Sequence, residues 1–301
     1  MPSDVGAAAL RATRPGTVAH AWDELEAVLH HAGVPEARAE ARDLIAALLD
    51  VPRFWPTANR DAALDAETLL LARAAASRRA RGAPFAYAAG RAAFRHLTLD
   101  VDERVLIPRQ ETEVLVDLVL ETGLAPGGVA VDVGTGSGAI ALALASEGAF
   151  ERVIATDVSL DAIAVARANV ALAAAALRAP VELRHGSLLA PVAGDVRARA
   201  VVSNPPYIAH EEAAQLPRSV RDWEPALALY SGAAGLAATA GIVREAAAVL
   251  EPGGLLALEV DSRRASLAAE LVLADGRYEA VQVRLDLAGR ERFVLARRTS
   301  T

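Results

Sequence analysis

At 301 residues, with 31 basic against 38 acidic side chains and a net charge of −7, the chain is long enough for one large and one small core and lacks the basic footprint of a dedicated duplex-DNA binder. The absence of cysteine excludes disulfides, thiolate nucleophiles and Cys-bound metal. Alanine supplies much of the hydrophobic share, no stretch approaches the ~20 apolar residues that span a bilayer, and residues 1–16 lack the apolar centre of a signal peptide, so a cytoplasmic protein with no membrane partner and no direct nucleic-acid partner is expected.

Residues 17–81 carry apolar side chains at helical spacing in three stretches: Trp22-Asp23-Glu24-Leu25 with Val28 and Leu29, then Ala37 to Leu49, then Ala66 to Arg81. Thr17 and Asp65 stand as N-caps, and Gly33-Val34-Pro35 and Val51-Pro52 break the pattern. A small helical bundle over residues 1–83 is expected, with no evident chemistry of its own. Its basic run, Arg73 with Ser77-Arg78-Arg79-Ala80-Arg81, reads as a solvated helix face or as a docking surface for a macromolecular partner. His30 and His31 are adjacent on a helix and do not face one metal site.

Residues 84–105 change character. Phe85, Tyr87, Phe94, Leu97, Leu99, Val101 and Val105 roughly alternate with polar residues, which predicts a β-hairpin linker. Leu106-Ile107-Pro108-Arg109-Gln110-Glu111-Thr112-Glu113 then opens a helix, with Thr112 as its cap and the glutamates favourable near a helix start. The Pro-Arg pair just before the sheet would equally floor a binding site.

From Gly128 strands and helices alternate: strands over 129–133, 152–156, 180–184, 199–203 and 254–260, helices over 139–147, 159–175 and 235–250. A last pair, Glu279 to Leu285 and Arg292 to Ala296, flanks the turn Asp286-Leu287-Ala288-Gly289-Arg290. For residues 106–301 this predicts an α/β doubly wound, mostly parallel sheet with helices on both faces, closed by a C-terminal antiparallel hairpin.

Two motifs lie where such sheets bind ligands, at the carboxyl ends of strands. The run Val129-Ala130-Val131-Asp132-Val133 leads into Gly134-Thr135-Gly136-Ser137-Gly138 and an Ala/Leu helix, a strand-turn-helix unit in which glycines admit close backbone approach and a helix start offers N–H groups. The next strand delivers Asp157, an acid suited to a pair of ribose hydroxyls, so the unit reads as a nucleoside-cofactor site. Gly134-x-Gly136-x-x-Ala139 also satisfies the dinucleotide fingerprint. S-adenosylmethionine (SAM) is preferred because a second motif, Asn204-Pro205-Pro206-Tyr207, follows a later strand, and because no hydride-handling constellation stands out. The prolines hold φ near −65° and leave rigid carbonyls free to accept. With the Asn204 oxygen and an aromatic face, this corner suits a planar NH2 group, either an amide or the exocyclic amine of a base; as a bland alternative it is a stiff turn ending a strand.

The ordered set Leu106-Ile107-Pro108-Arg109-x-Glu111-Thr112-Glu113, Gly134 to Gly138, Val202-Ser203-Asn204-Pro205-Pro206-Tyr207-Ile208, Glu224-Pro225-Ala226-Leu227 and Asp286 to Arg290 resembles the bacterial peptide chain release factor N5-glutamine methyltransferases, the PrmC or HemK family, over about residues 20 to 298. The resemblance implies a class I SAM-dependent methyltransferase domain and a substrate-docking helical domain. The implied reaction is methylation of the side-chain amide of the glutamine in the Gly-Gly-Gln loop of class 1 release factors. Carried over by motif, Gly134, Thr135, Gly136, Ser137 and Gly138 would embrace the methionine part of SAM and Asp157 its ribose. Asn204, Pro205 and Pro206 would hold the glutamine, with Tyr207 packed on the amide plane. The chain departs from the family pattern at Gln110, at Glu259-Val260-Asp261-Ser262-Arg263-Arg264, and at Gly186-Ser187-Leu188, where Ser187 and Leu188 would meet the adenine. Two other reactions fit the same corner, glutamine methylation of a ribosomal protein and adenine N6 methylation of nucleic acid, and a third alternative is a SAM-binding or docking protein that is not an enzyme and works through its helical domain.

Overall fold

A computed structural model describes residues 16–300, so the expectation drawn from residues 1–16 lies, but for Gly16, outside the described residues. The chain divides into two compact units, Met1–Ala89 and Gly90–Thr301. Among the described residues no helix is long and apolar enough to cross a membrane.

In the first unit, helices Val18–His31, Ala37–Leu49 and Ala66–Ala80 pack together. Thr17 and Asp65 cap as the sequence predicts, each accepting a backbone N–H of the first turn, from His20 and Thr68. Leu25, Leu29, Leu44 and Ile45 meet Ala72, Ala75 and Ala76, small residues that let the third helix lie close. Two arginines of the basic run are taken up inside the unit: Arg73 pairs with Glu24 at 2.8 Å and Arg79 with Glu40 at 2.6 Å.

The hairpin expected over 84–105 is shorter than the alternation implies. Arg91–Phe94 (β1) pairs antiparallel with Leu97–Asp100 (β2), while Phe85–Ala89 is a short helix closed by Ala88 N–H donating to Pro84 O at 3.0 Å. Phe-Ala-Tyr-Ala-Ala contains no β-branched residue, and its helix propensity overrides the loose alternation.

The second unit is a seven-stranded sheet of Val129–Val133 (β3), Arg152–Asp157 (β4), Val181–His185 (β5), Ala198–Ser203 (β6), Leu250–Glu259 (β7), Tyr278–Leu285 (β8) and Glu291–Arg298 (β9). Its order is β5-β4-β3-β6-β7-β9-β8; the first five strands run parallel and β9 joins β7 and β8 antiparallel. The doubly wound sheet with its C-terminal hairpin is therefore present as predicted. Alternate strand residues bury on opposite faces: Ala130, Ala200, Val202 and Ala257 against helices Gln110–Glu121 and Ala139–Glu147, and Val131, Val201, Leu256 and Leu258 against helices Ala237–Val249 and Ala265–Asp275. The chain builds outward from β3 to β5, then crosses back to lay β6 on the other side of β3. Residues 139–145, all Ala, Ile or Leu, are buried around the whole helix that follows the glycine loop.

Leu142, fully buried in that helix, sets a test of the packing. Leu142→Ala is expected to lower stability to urea by about 2–5 kcal/mol, measured as the shift of the unfolding midpoint; a change near zero would mean that the helix is not held by this core.

Candidate active site

The two loops singled out in the sequence leave the sheet side by side. At the crossover Val133 of β3 pairs with Ser203 of β6, and Ser203 Oγ donates to Val133 O at 2.7 Å, locking the two strand ends together. Gly134 and Asn204 are the next residues on each chain. Both border a cavity of about 220 Å³, together with Thr135, Gly136, Ser137, Asp157, Ser187, Leu188, Pro205 and Pro206. Two predicted site residues do not line it, Gly138 and Tyr207.

Gly134 and Gly136 have φ of +73° and +55°, and a Cβ on either would meet nothing within 4 Å, so a side chain there would project into open space beside the cavity. Gly138 has another task. It is the residue before the buried helix and holds a φ of +88°, a left-handed conformation that strains any side chain, while a Cβ on it would meet Leu142 Cδ1 and Ala166 Cβ at ordinary contact distances of 3.4 and 3.5 Å. The loop is held from beneath: Gly134 and Thr135 N–H donate to Thr156 O, Gly136 N–H donates to Asp157 Oδ2, and Thr135 Oγ1 donates to Asp132 Oδ2. Asp157 Oδ1 also accepts from Ser159 N–H, which fixes the carboxylate at the end of β4. Asn169, fully buried, donates to Ser137 O and Asp100 O and accepts from Asp100 N–H, tying the loop to the hairpin.

Farther along the cavity, Leu188 adopts a left-handed φ of +47° and its carbonyl accepts from Thr156 Oγ1 at 2.8 Å. Gly241 leaves room for it, since a Cβ there would come within 2.5 Å of Leu188 Cδ1.

At the other end Asn204 Nδ2 donates to Thr112 Oγ1 at 3.0 Å, and Thr112 Oγ1 donates to Glu259 Oε2 at 2.7 Å. The expectation for Thr112 is thereby corrected. It lies inside helix Gln110–Glu121, whose N-cap is Arg109, and its hydroxyl serves Glu259 rather than the helix end, because an unpaired carboxylate there would be costly. Tyr207 is half-buried and does not border the cavity, and its side chain lies near Glu259. Burial raises the Tyr207 phenol above its ordinary range, so it stays a donor. Gly235 permits this turn, since a Cβ on it would sit 2.3 Å from the Tyr207 carbonyl oxygen.

Arg109, from the Pro-Arg pair, donates through Nη2 to both Glu224 oxygens at 2.6 and 2.7 Å, joining the loop before the helix to Glu224-Pro225. Burial pushes the Glu224 carboxyl up, against the opposing pull of Arg109. Pro225, Leu227 and Ala228 then wall the cavity. Residues that the sequence left without a role are Asn169, Glu259 and the partner relation of Arg109 to Glu224. A lone Asn in an apolar helix and an acid ending an apolar strand were the available signals. Among the described residues no group of His, Cys, Asp and Glu has the arrangement of a metal site.

Comparison with known proteins follows the same division. A profile of the PrmC N-terminal domain matches residues 20–90, and one of the methyltransferase small domain matches residues 107–219. The chain is 46% identical over 226 residues to the release factor glutamine methyltransferase of Moorella thermoacetica, covering 74% of this chain and 78% of that one. It is 42% identical over 276 residues to the protein of the same name from Deinococcus radiodurans, covering 90% of this chain and 94% of that one. The crystal structure of a methyltransferase from Pyrococcus furiosus shares the fold, with a TM-score of 0.51 and 19% identity over 69% of this chain and 91% of that one.

Burial holds the protons of Asp132 and Glu259 to about 7, from ordinary values of 3.8 and 4.5, against the hydrogen bonds that favour their charged forms. The folded protein therefore binds more protons than the unfolded chain between about pH 4.5 and 7, and the stability tied to these groups is full below the unfolded values and lost as pH rises through about 7. Relative to Glu259→Gln or Asp132→Asn, the natural chain is expected to lose stability across that window by up to about 1.4 kcal/mol per pH unit for each group. Urea unfolding at several pH values checks this; parallel curves for chain and variants would contradict it.

Proposed function

The chain belongs to the release factor glutamine methyltransferases, and from that membership we infer that it transfers a methyl group from SAM to the side-chain amide nitrogen (N5) of the glutamine in the Gly-Gly-Gln loop of class 1 peptide chain release factors, in the cytoplasm. The observation that carries the reading is the shared cavity: a glycine loop with a fixed acid at one end and the Asn-Pro-Pro turn at the other.

The residues present fit SAM. Bare glycines border the cavity where any side chain would intrude, Asp157 is fixed in place as an acceptor for vicinal hydroxyls, and Leu188, Ile140 and Ile242 supply apolar wall for a base, with Ser187 beside them. SAM when bound supplies a methyl group on a sulfonium sulfur, which departs as a neutral thioether. Everything else falls to the chain. An amide nitrogen is a poor nucleophile because its lone pair is delocalised, so its geometry decides the rate. Asn204 Oδ1 and the Pro205 carbonyl accept the two N–H bonds of the substrate amide and orient its nitrogen, while Pro205 and Pro206 keep the acceptors rigid. These acceptors also stabilise the positive charge that builds on nitrogen in the transition state, within a cavity walled by Pro225, Leu227 and Ala228. The surplus proton leaves the nitrogen for water after transfer, so no general base is assigned.

The helical unit, continuing into the hairpin, is the docking part for the protein substrate.

Two measurements test this. Asn204→Ala is expected to reduce methylation of purified release factor roughly 10²-fold while SAM affinity, measured by calorimetry, falls only modestly; activity close to that of the natural chain would mean the amide is held elsewhere. Removal of residues 1–89 is expected to spare SAM binding and abolish methylation of the intact factor, and undiminished turnover would end the docking role.

A further inference from the structure

On the reading that the Asn-Pro-Pro turn holds a glutamine amide, we infer that Glu259 is a positioning residue for the transfer: acting through Thr112, it fixes which end of the Asn204 amide faces the substrate.

An Asn side chain is almost symmetric in shape, and hydrogen bonding alone decides which end it presents. The clamp needs Oδ1 toward the cavity, because the substrate NH2 is a donor and Nδ2 would set donor against donor. Thr112 Oγ1 accepts from Asn204 Nδ2 at 3.0 Å and donates to Glu259 Oε2 at 2.7 Å. An ionised carboxylate only accepts. Thr112 must then spend its single proton on Glu259, its lone pair takes the Nδ2 hydrogen, and Oδ1 is the end left for the cavity. A protonated Glu259 can donate to Thr112 instead. That releases the Thr112 proton to bond Asn204 Oδ1, which turns the amide round and presents the wrong end. The sense of the clamp thus follows the charge on Glu259.

Four groups on three other elements face that carboxylate. Arg292 of β9 and the Tyr207 hydroxyl, after β6, favour its ionised form, as does the Thr112 hydroxyl, while Glu111 on the same helix as Thr112 opposes it. Burial opposes it most, and the balance lies at about 7. Glu259 is only 1% exposed and does not line the cavity. None of the hydrogen bonds that hold the glycine loop, to Asp132, Thr156 and Asp157, passes through it. A change at Glu259 therefore reaches turnover without reaching the cofactor end, and Thr112, which borders the cavity, does so beside Asn204 and makes none of those hydrogen bonds.

The test is labelled methyl transfer from SAM to purified release factor by the full chain and by Thr112→Val, Thr112→Ser and Glu259→Gln, each followed from about pH 6 to about 8.5. The natural enzyme is expected to gain kcat as pH rises through about 7. Thr112→Val, which cannot relay, loses roughly 10²-fold in kcat, with SAM affinity and the KM for the factor within about threefold of the natural values. Thr112→Ser restores most of the loss. Glu259→Gln, whose amide can present either an acceptor or a donor to Thr112 at every pH, no longer fixes the sense of the clamp and has a lower kcat without the acid limb. Turnover by Thr112→Val within about threefold of the natural enzyme, or an acid limb that persists in Glu259→Gln, overturns the inference. If Thr112→Val proves unfolded, as a loss of SAM binding reports, the pH profiles of Thr112→Ser and Glu259→Gln decide alone. Should the natural enzyme label a different amide or an adenine amine, the substrate reading fails instead, and the same comparison on that substrate decides the role of Glu259.

Discussion

The parallel pairing of Val133 with Ser203 is the contact on which the site depends. Two strands that are far apart in sequence end level with each other because the chain, having built the sheet in one direction, returns across β3 to build it in the other. A crossover of this kind leaves a crevice at the carboxyl ends that neither neighbouring helix can fill. The Ser203 hydroxyl closes the last rung by donating to the Val133 carbonyl, so the glycine loop and the Asn-Pro-Pro turn start from one fixed edge. A shift of either strand by one residue would turn their side chains to the opposite faces of the sheet and separate the two loops.

Around this edge the protein stations buried carboxylates, and each organises one wall. Asp132 gathers Thr135 and the start of the helix after the glycine loop. Glu224 takes Arg109 and so attaches the loop before helix Gln110–Glu121 to the Pro225 wall. Glu259 gathers Thr112, and through it Asn204, at the Asn-Pro-Pro end. Burying a charge is costly unless hydrogen bonds meet it, and that cost explains why the groups touching these acids have few alternatives in orientation. On the function proposed for this cavity, its acceptors are set before any substrate arrives, which is what transfer to a weak nucleophile requires.

Much of this was legible in the chain. The parallel strands announced themselves as short apolar runs ending in glycine, acid or Asn-Pro, and the C-terminal hairpin by the Asp-Leu-Ala-Gly-Arg turn between two alternating segments. Thr17 and Asp65 cap because local sequence decides an N-cap. What could not be read depends on tertiary distance. Thr112 and Glu259 stand 147 residues apart, and only the folded sheet puts the hydroxyl within reach of the carboxylate, so Thr112 looked like a cap. Tyr207 follows two prolines, but the room for its backbone carbonyl is left by Gly235, which is not local in sequence. Phe85 and Tyr87 fell two apart by chance of composition, and an alanine-rich turn of helix claimed them. Residues 205 to 236 form short turns without periodicity, for which a sequence offers no template.

The central claim is that the amide of one glutamine is the methyl acceptor. It is tested most directly by supplying labelled SAM to the enzyme with purified release factor, either natural or with Gln→Ala in its Gly-Gly-Gln loop, in the presence of ribosomal protein and DNA. Label on the natural factor that vanishes with the variant is the expected result; label that survives the substitution, or that moves to ribosomal protein or DNA, would contradict it.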